Sequence, residues 1–194
     1  ALPWIIKPLI KMFPRAKFVH LIRDGRKVVS SFYNKFGSLM YNDDCVKDVL
    51  NWLNNKNKYP MPPAEKKYWR PIPIYNEKIY KDFISYNQFQ RICYYWNELN
   101  QHVIDELQYI PDKQKLTVKF EDLLNEKSVQ NNFTEFIDLK YKEEMFNSFS
   151  RPVNVHEPIN YKLSKKQKEN FNKICKPMME RYNYKRTSEY DVKY

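Results

Sequence analysis

Leu2, Ile5, Ile6, Leu9, Ile10 and Phe13 recur at intervals of three and four, the period that lays one stripe of an α-helix against a core, and Pro14 ends the pattern. Lys17 to Ile22 (KFVHLI) differs in kind, being short and nearly continuous in apolar residues. It predicts a strand buried on both faces of a parallel sheet. Asp24 and Gly25 then turn the chain, and Arg26 to Phe36 carries Val28, Val29, Phe32, Tyr33 and Phe36 on one helical face. The segment reads as strand, tight turn, helix.

Cys45 to Leu53 has Val46, Val49, Leu50 and Leu53 on one side and predicts a second helix. From Lys56 to about Tyr80 the chain carries Pro60, Pro62, Pro63, Pro71 and Pro73, which is incompatible with long regular structure. A loop of that length serves either as a lid, here over an acceptor site with Trp69 and Arg70, or as an ordered surface excursion. Asn87 to Leu107 traces a continuous stripe through Phe89, Ile92, Trp96, Leu99, Val103 and Leu107, the mark of a long amphipathic helix. Beyond Pro111, Lys115 to Phe120 (KLTVKF) reads as a second strand. Glu121 onward reads as a short helix and then another, with Ser128 a possible N-cap. After an irregular stretch from Ser150 to Asn160, Ser164 opens a last helix that turns Phe171, Ile174, Cys175, Met178 and Met179 inward, and Pro177 is expected to kink or split it.

Strands that alternate with helices imply an α/β layer structure with parallel pairing. Sheets usually have about five or six strands, so further strands are expected either in the irregular regions or outside these residues.

A length of 194 residues fits a single domain, residues 1–194. The hydrophobic fraction of 42% excludes a fully disordered chain in spite of a net charge of +11. No stretch of about 18 uncharged apolar residues occurs, so no membrane span is expected. Lys7 and Lys11 interrupt the opening apolar run, which therefore reads as an internal start and not as a signal peptide. Cys45, Cys93 and Cys175 are odd in number and far apart, which argues against a disulfide framework and for thiols in a reducing compartment.

Three scattered histidines and these cysteines predict no metal site. His20, mid-strand, is expected in the core; His102, off the apolar stripe, is expected in solvent; His156 lies in a polar loop. With only Gly25 and Gly37, the chain can hold neither a Walker loop nor a dinucleotide fingerprint. The lysines and arginines of the last helix invite a nucleic-acid reading, but no helix-turn-helix or aromatic RNA-binding signature accompanies them, so nucleic acid is not an expected partner. Anionic small molecules explain the basic balance equally well.

The candidate chemistry lies at the end of the first strand. Arg23 closes it, and a guanidinium there can hold a phosphate through paired, charge-assisted hydrogen bonds. Ser31, two turns into the following helix, can donate another, and Arg26 and Lys27 add positive field. The plain alternative makes Arg23 an ion-pair partner of Asp24 or Glu121.

The segment FPRAKFVHLIRDGRKVVSSFY, Phe13 to Tyr33, resembles the 3′-phosphate-binding segment of sulfotransferases that use 3′-phosphoadenosine-5′-phosphosulfate (PAPS). In that family an Arg that closes a strand and a Ser eight positions later grip the 3′-phosphate, which here selects Arg23 and Ser31 (31 − 23 = 8) over Ser30. The helix QFQRICYYWNELNQHVIDEL and the strand and turn KLTVKFEDLL are similar to later family segments. Phe120 holds the position of an aromatic near the adenine. Arg151-Pro-Val-Asn-Val and Tyr161-Lys-Leu-Ser resemble the loop that closes over the nucleotide, which makes Arg151 and Lys162 nucleotide contacts by resemblance.

The resemblance implies a three-layer, P-loop-NTPase-like α/β fold with a central parallel sheet. It also implies a transfer of a sulfuryl group from PAPS, as co-substrate, to a hydroxyl or amine of an unknown acceptor, a small molecule or a glycan. The family's first strand, Gly/Ser/Thr-rich phosphosulfate loop and general base are expected upstream of residue 1, which leaves no catalytic residue to assign here and predicts no turnover by these residues alone. A cytoplasmic compartment is expected, with a lumenal, anchored form as the alternative. A nucleotide-binding scaffold without activity is the alternative function, and a basic nucleic-acid-binding protein ranks third.

Overall fold

The computed structural model describes residues 3–36, 40–62, 71–73, 78–150 and 162–184, with the side chains of Phe36 and Ser150 excepted. Trp69, Arg70, Arg151, His156 and Tyr161, singled out above, lie outside the described residues. KFVHLI forms strand β1 (Phe18–Ile22) and KLTVK forms β2 (Lys115–Lys119). They pair in parallel, Phe18 opposite Lys115 and Ile22 opposite Lys119, and they make up the whole sheet among the described residues. The chain is thus α/β, mostly helical, with a small parallel sheet. β1 is not buried on both faces: His20 and Ile22 are buried, whereas Val19 and Leu21 are 37% and 47% exposed. Successive strand side chains point to opposite faces, and the described elements cover only one of the two.

Two compact units divide the chain. The first draws on Ala1–Asp24 and Leu99–Pro158. A 3₁₀ turn (Pro3–Ile5) leads into helix α1 (Ile6–Met12), whose Ile6 and Ile10 pack with Phe18, Val103, Leu107 and Ile110. Trp4 stacks on His102 with ring centroids 5.3 Å apart, so His102 is half-buried beneath an indole and not in open solvent as its place off the stripe suggested. Lys7 bridges to Glu106 at 2.9 Å. Gln114 Nε2 donates to the carbonyls of Pro14 (2.7 Å) and Ala16 (3.0 Å), which ties the entry to β2 against the entry to β1.

β2 ends one residue earlier than predicted, because Phe120 is already the first residue of α6 (Phe120–Asn125). In α7 (Lys127–Phe136), Ser128 is the second helical residue, not the cap; Glu126 holds that place without a side-chain bond to the helix. Fully buried Gln130 closes this corner, its amide donating to the Leu123 carbonyl at 2.8 Å while its carbonyl accepts the Tyr141 hydroxyl at 3.2 Å. A further helix, α8 (Glu143–Ser150), was not anticipated from its short apolar pattern.

The second unit draws on Gly25–Glu98 and Ile159–Lys193. It holds α2 (Gly25–Phe36), α3 (Asp43–Asn54), α4 (Lys78–Ser85), the first half of α5 (Gln88–Leu107) and α9 (Lys165–Arg181). The sequence sets where these helices start. Asn42 accepts the Cys45 N–H at 2.7 Å, and Asn87 and Gln90 exchange side-chain and backbone bonds at 3.0 Å in both directions. Ser164 and Gln167 form a reciprocal capping box, as Ser164's position predicted. α9 runs unbroken through Pro177, because Phe171, Cys175, Met178 and Met179 bury one face along its whole length and outweigh the lost backbone bond, so the predicted split does not occur. All three cysteines are buried and free. Burial and the neighbouring Cys93 push the Cys175 thiol well up, and its Sγ donates to the Cys93 carbonyl at 3.5 Å.

A buried guanidinium joins three pieces of this unit. Arg91 donates to the carbonyls of Phe83 (3.5 Å), Ile84 (3.4 Å) and Tyr41 (3.2 Å) and to the Asp43 carboxylate (2.7 Å). It thereby satisfies carbonyls of the last turn of α4 that have no partner within that helix.

Candidate functional site

A single strand register builds the site in the first unit. Every β1 residue pairs with the β2 residue 97 positions later (115 − 18 = 97), and one and two steps past the strand ends the same offset matches Arg23 with Phe120 and Asp24 with Glu121. The side chains follow it. The Arg23 guanidinium carbon lies 5.1 Å from the Phe120 ring centroid. The ring's negative face supports a cation there. Buried Asp24 donates its backbone N–H to Glu121 Oε1 at 3.0 Å, so a carboxylate from the start of α6 holds the turn that follows Arg23. Asn125 in turn donates to the Glu121 carbonyl at 2.7 Å.

Behind this edge, His20 is buried and its Nε2 donates to Asn100 Oδ1 at 3.1 Å. Burial pushes the imidazole below its ordinary value near 6.5, and the Asn100 bond opposes the shift only in part. His20 is therefore a packed core residue, as its mid-strand place suggested.

The boundary between the units falls between Asp24 and Gly25, so Arg23 and Phe120 belong to the first unit, and Arg26, Ser31 and Lys162 to the second. Of the predicted nucleotide contacts, Arg23 and Phe120 are brought together. On α2, Arg26 is buried, Ser30 fully buried and Ser31 half-buried. Lys162 is exposed two residues before the α9 cap. Arg151 lies outside the described residues.

Gly25 opens α2 for a reason that sequence alone concealed. Its φ is not positive, so it is not needed for a left-handed turn. A Cβ at this position would instead meet Trp96 Cζ2 at 2.8 Å and Cε2 and Cη2 at 2.9 Å. The α2 backbone thus rests on an indole that is itself buried and packed against Phe171, ring centroids 6.4 Å apart. Glu121, named from sequence only as an alternative ion-pair partner for Arg23, also serves as an acceptor for the turn's backbone. No local pattern distinguishes these two uses.

Among the described residues, no group of three or more His, Cys, Asp or Glu is placed to hold a metal, and no helix is long and apolar enough to cross a membrane. A cation backed by an aromatic ring at the carboxyl ends of two parallel strands can hold a compact anion next to a flat apolar ring system.

No family model matches the chain, and no curated protein does. Among solved structures it is similar to one described as "Sulfotransferase Domain from the Curacin Biosynthetic Pathway", with 13% identity and a TM-score of 0.42. The alignment covers 80% of this chain and 41% of that one, so the chain spans less than half of that domain's length. At that identity and TM-score the similarity decides neither the reaction nor the ligand.

Proposed function

We propose that these 194 residues are one domain's nucleotide-anchoring part in a sulfotransferase that moves a sulfuryl group from PAPS to a hydroxyl or amine acceptor. One observation carries the reading: Arg23, which closes β1 at the head of the FPRAKFVHLIRDGRKVVSSFY segment, lies over the ring of Phe120, the position that the resemblance assigns to an adenine neighbour. PAPS supplies the activated sulfate. Arg23 holds the remote 3′-phosphate, a role the resemblance also gives to Ser31, and Phe120 offers the adenine a ring to pack on. Glu121 keeps the Asp24 turn, and with it Arg23, in place. Interactions this far from the sulfur contribute by aligning it. No residue of this chain is assigned as the general base.

Calorimetric titration with adenosine 3′,5′-bisphosphate tests the reading. Saturable binding is expected, and Arg23→Ala, which deletes one partner of a charge-assisted pair, should weaken it by roughly 2–5 kcal/mol. No saturable binding, or binding indifferent to Arg23→Ala, would refute the anchor.

A nucleotide-binding scaffold without turnover would use the same Arg23 and Phe120 pair. Sulfate transfer from labelled PAPS separates the two.

A further inference from the structure

Cys93 and Cys175 are far apart in sequence and side by side in the fold. Both are fully buried with free thiols, Cys93 on the first half of α5 and Cys175 on α9. The Cys175 Sγ reaches the Cys93 carbonyl at 3.5 Å, and a hydrogen bond joins the two side chains. Contacts to α9 flank Cys93 along α5. Gln90 Nε2 donates to Asn170 Oδ1 at 3.5 Å, and the Trp96 and Phe171 ring centroids lie 6.4 Å apart. Cys93 stands midway between Gln90 and Trp96, so the two helices are held together on both sides of it.

A disulfide needs sulfurs that meet without a movement of the backbone. Two thiols in mutual contact, on helices pinned above and below them, satisfy that requirement. Spacing along the chain hides the pairing, because the register of one helix on another is a property of the fold. Burial holds the Cys175 thiol protonated, well above its ordinary value, and the thiolate is the reactive form. Oxidation therefore proceeds through a transient opening of the seam and not through the closed protein.

We propose that Cys93 and Cys175 are a disulfide-forming pair that staples α5 to α9 under oxidising conditions. With glutathione disulfide as the oxidant, one cysteine thiolate attacks a glutathione sulfur and releases the first glutathione thiol. The second cysteine then displaces the other glutathione from the mixed disulfide. In sum, two cysteine thiols and one glutathione disulfide give one protein disulfide and two glutathione thiols. The bridge joins positions 82 residues apart and so restricts the unfolded chain over a long loop. It also fixes the seam that carries Trp96, the indole beneath the start of α2.

Oxidation of the full 194-residue chain tests the proposal. The chain is incubated with excess glutathione disulfide in urea just below its unfolding midpoint, where the seam opens, and is then returned to buffer. A fall from three free thiols to one is expected, with Cys45 the survivor. A protease digest without reductant should yield a Cys93–Cys175 linked peptide pair that dithiothreitol separates. The urea midpoint of the bridged protein should lie above that of the reduced protein. Cys45→Ala should leave the bridge unchanged, whereas Cys93→Ser should leave Cys175 as a free thiol or a glutathione adduct. Retention of three free thiols, a bridge that includes Cys45, or glutathione adducts on both Cys93 and Cys175 of the parent would overturn the pairing. A bridged protein with a lower urea midpoint would show that the native seam does not accommodate the bond, and would overturn it equally.

Discussion

Gly25→Ala tests the packing that supports the start of α2. The added Cβ would stand 2.8–2.9 Å from three atoms of the Trp96 indole, closer than such contacts allow, so either the ring or the backbone must move. The ring has little freedom: Trp96 is 4% exposed and packs on Phe171 of α9. Overpacking at such a site costs about 1–3 kcal/mol. The substitution also restricts the unfolded chain, which returns about 0.4–1 kcal/mol. The net expectation is a loss of roughly 1–2 kcal/mol, a downward shift in the urea midpoint without a change in slope, read by circular dichroism. Trp96→Phe removes the indole atoms that the new Cβ would meet. In that background Gly25→Ala should cost less, with a coupling of at least about 0.5 kcal/mol in a double-mutant cycle. A Gly25→Ala protein as stable as its parent, or an equal loss in both backgrounds, would show that the close approach does not govern this position.

Arg91→Ala should be far more damaging than Asp43→Ala. The first leaves the Phe83, Ile84 and Tyr41 carbonyls without their guanidinium donor, at about 1–3 kcal/mol for each one left unsatisfied, whereas the second removes an 88% exposed carboxylate worth less than about 1 kcal/mol; equal urea midpoints for the two variants would refute this account. His20 confers acid sensitivity. Its folded pKa lies below the unfolded value near 6.5, so above 6.5 the group is neutral in both states and stability is unaffected; as pH falls below 6.5 the unfolded chain takes the proton first, and stability declines until the folded pKa is reached. His20→Gln should flatten that stretch of a stability-against-pH curve, and an unchanged slope would acquit His20. Ser164→Ala should cost about 1 kcal/mol, and Gln167→Ala added to it should cost little more, because the box bonds are made jointly; strict additivity in denaturant titrations would count against the box.

Much of the helical architecture was legible because the signals are local. A stripe of period 3.6 over twenty residues leaves little freedom in placing α5, and Ser164 marks the start of α9. β1 was legible from a short apolar run and β2 from its alternation of apolar and polar residues. What escaped depends on contacts between distant positions. Nothing near Leu21 tells that no described element covers its side of β1, and nothing near Gly25 tells that an indole seventy-one residues away (96 − 25) occupies the space a side chain would need. At the site, Arg23 and Phe120 were each nominated from their own segments, but their juxtaposition depends on the strand register, which no single segment encodes. α8 escaped for the opposite reason: at eight residues its periodicity is too brief to stand out.

The constant offset of 97 between the paired strands has a consequence for how the protein is made. Synthesised from its amino end, the chain presents β1 and its terminal guanidinium long before the strand and ring that will receive them exist. Until then the edge of β1 is open to any neighbouring polypeptide, and a loop of nearly a hundred residues must close before the correct partner arrives. The paired edge of β1 is therefore among the last parts of the fold to be completed, and the stretch around Val19 and Leu21 is where a nascent chain is most in need of shielding.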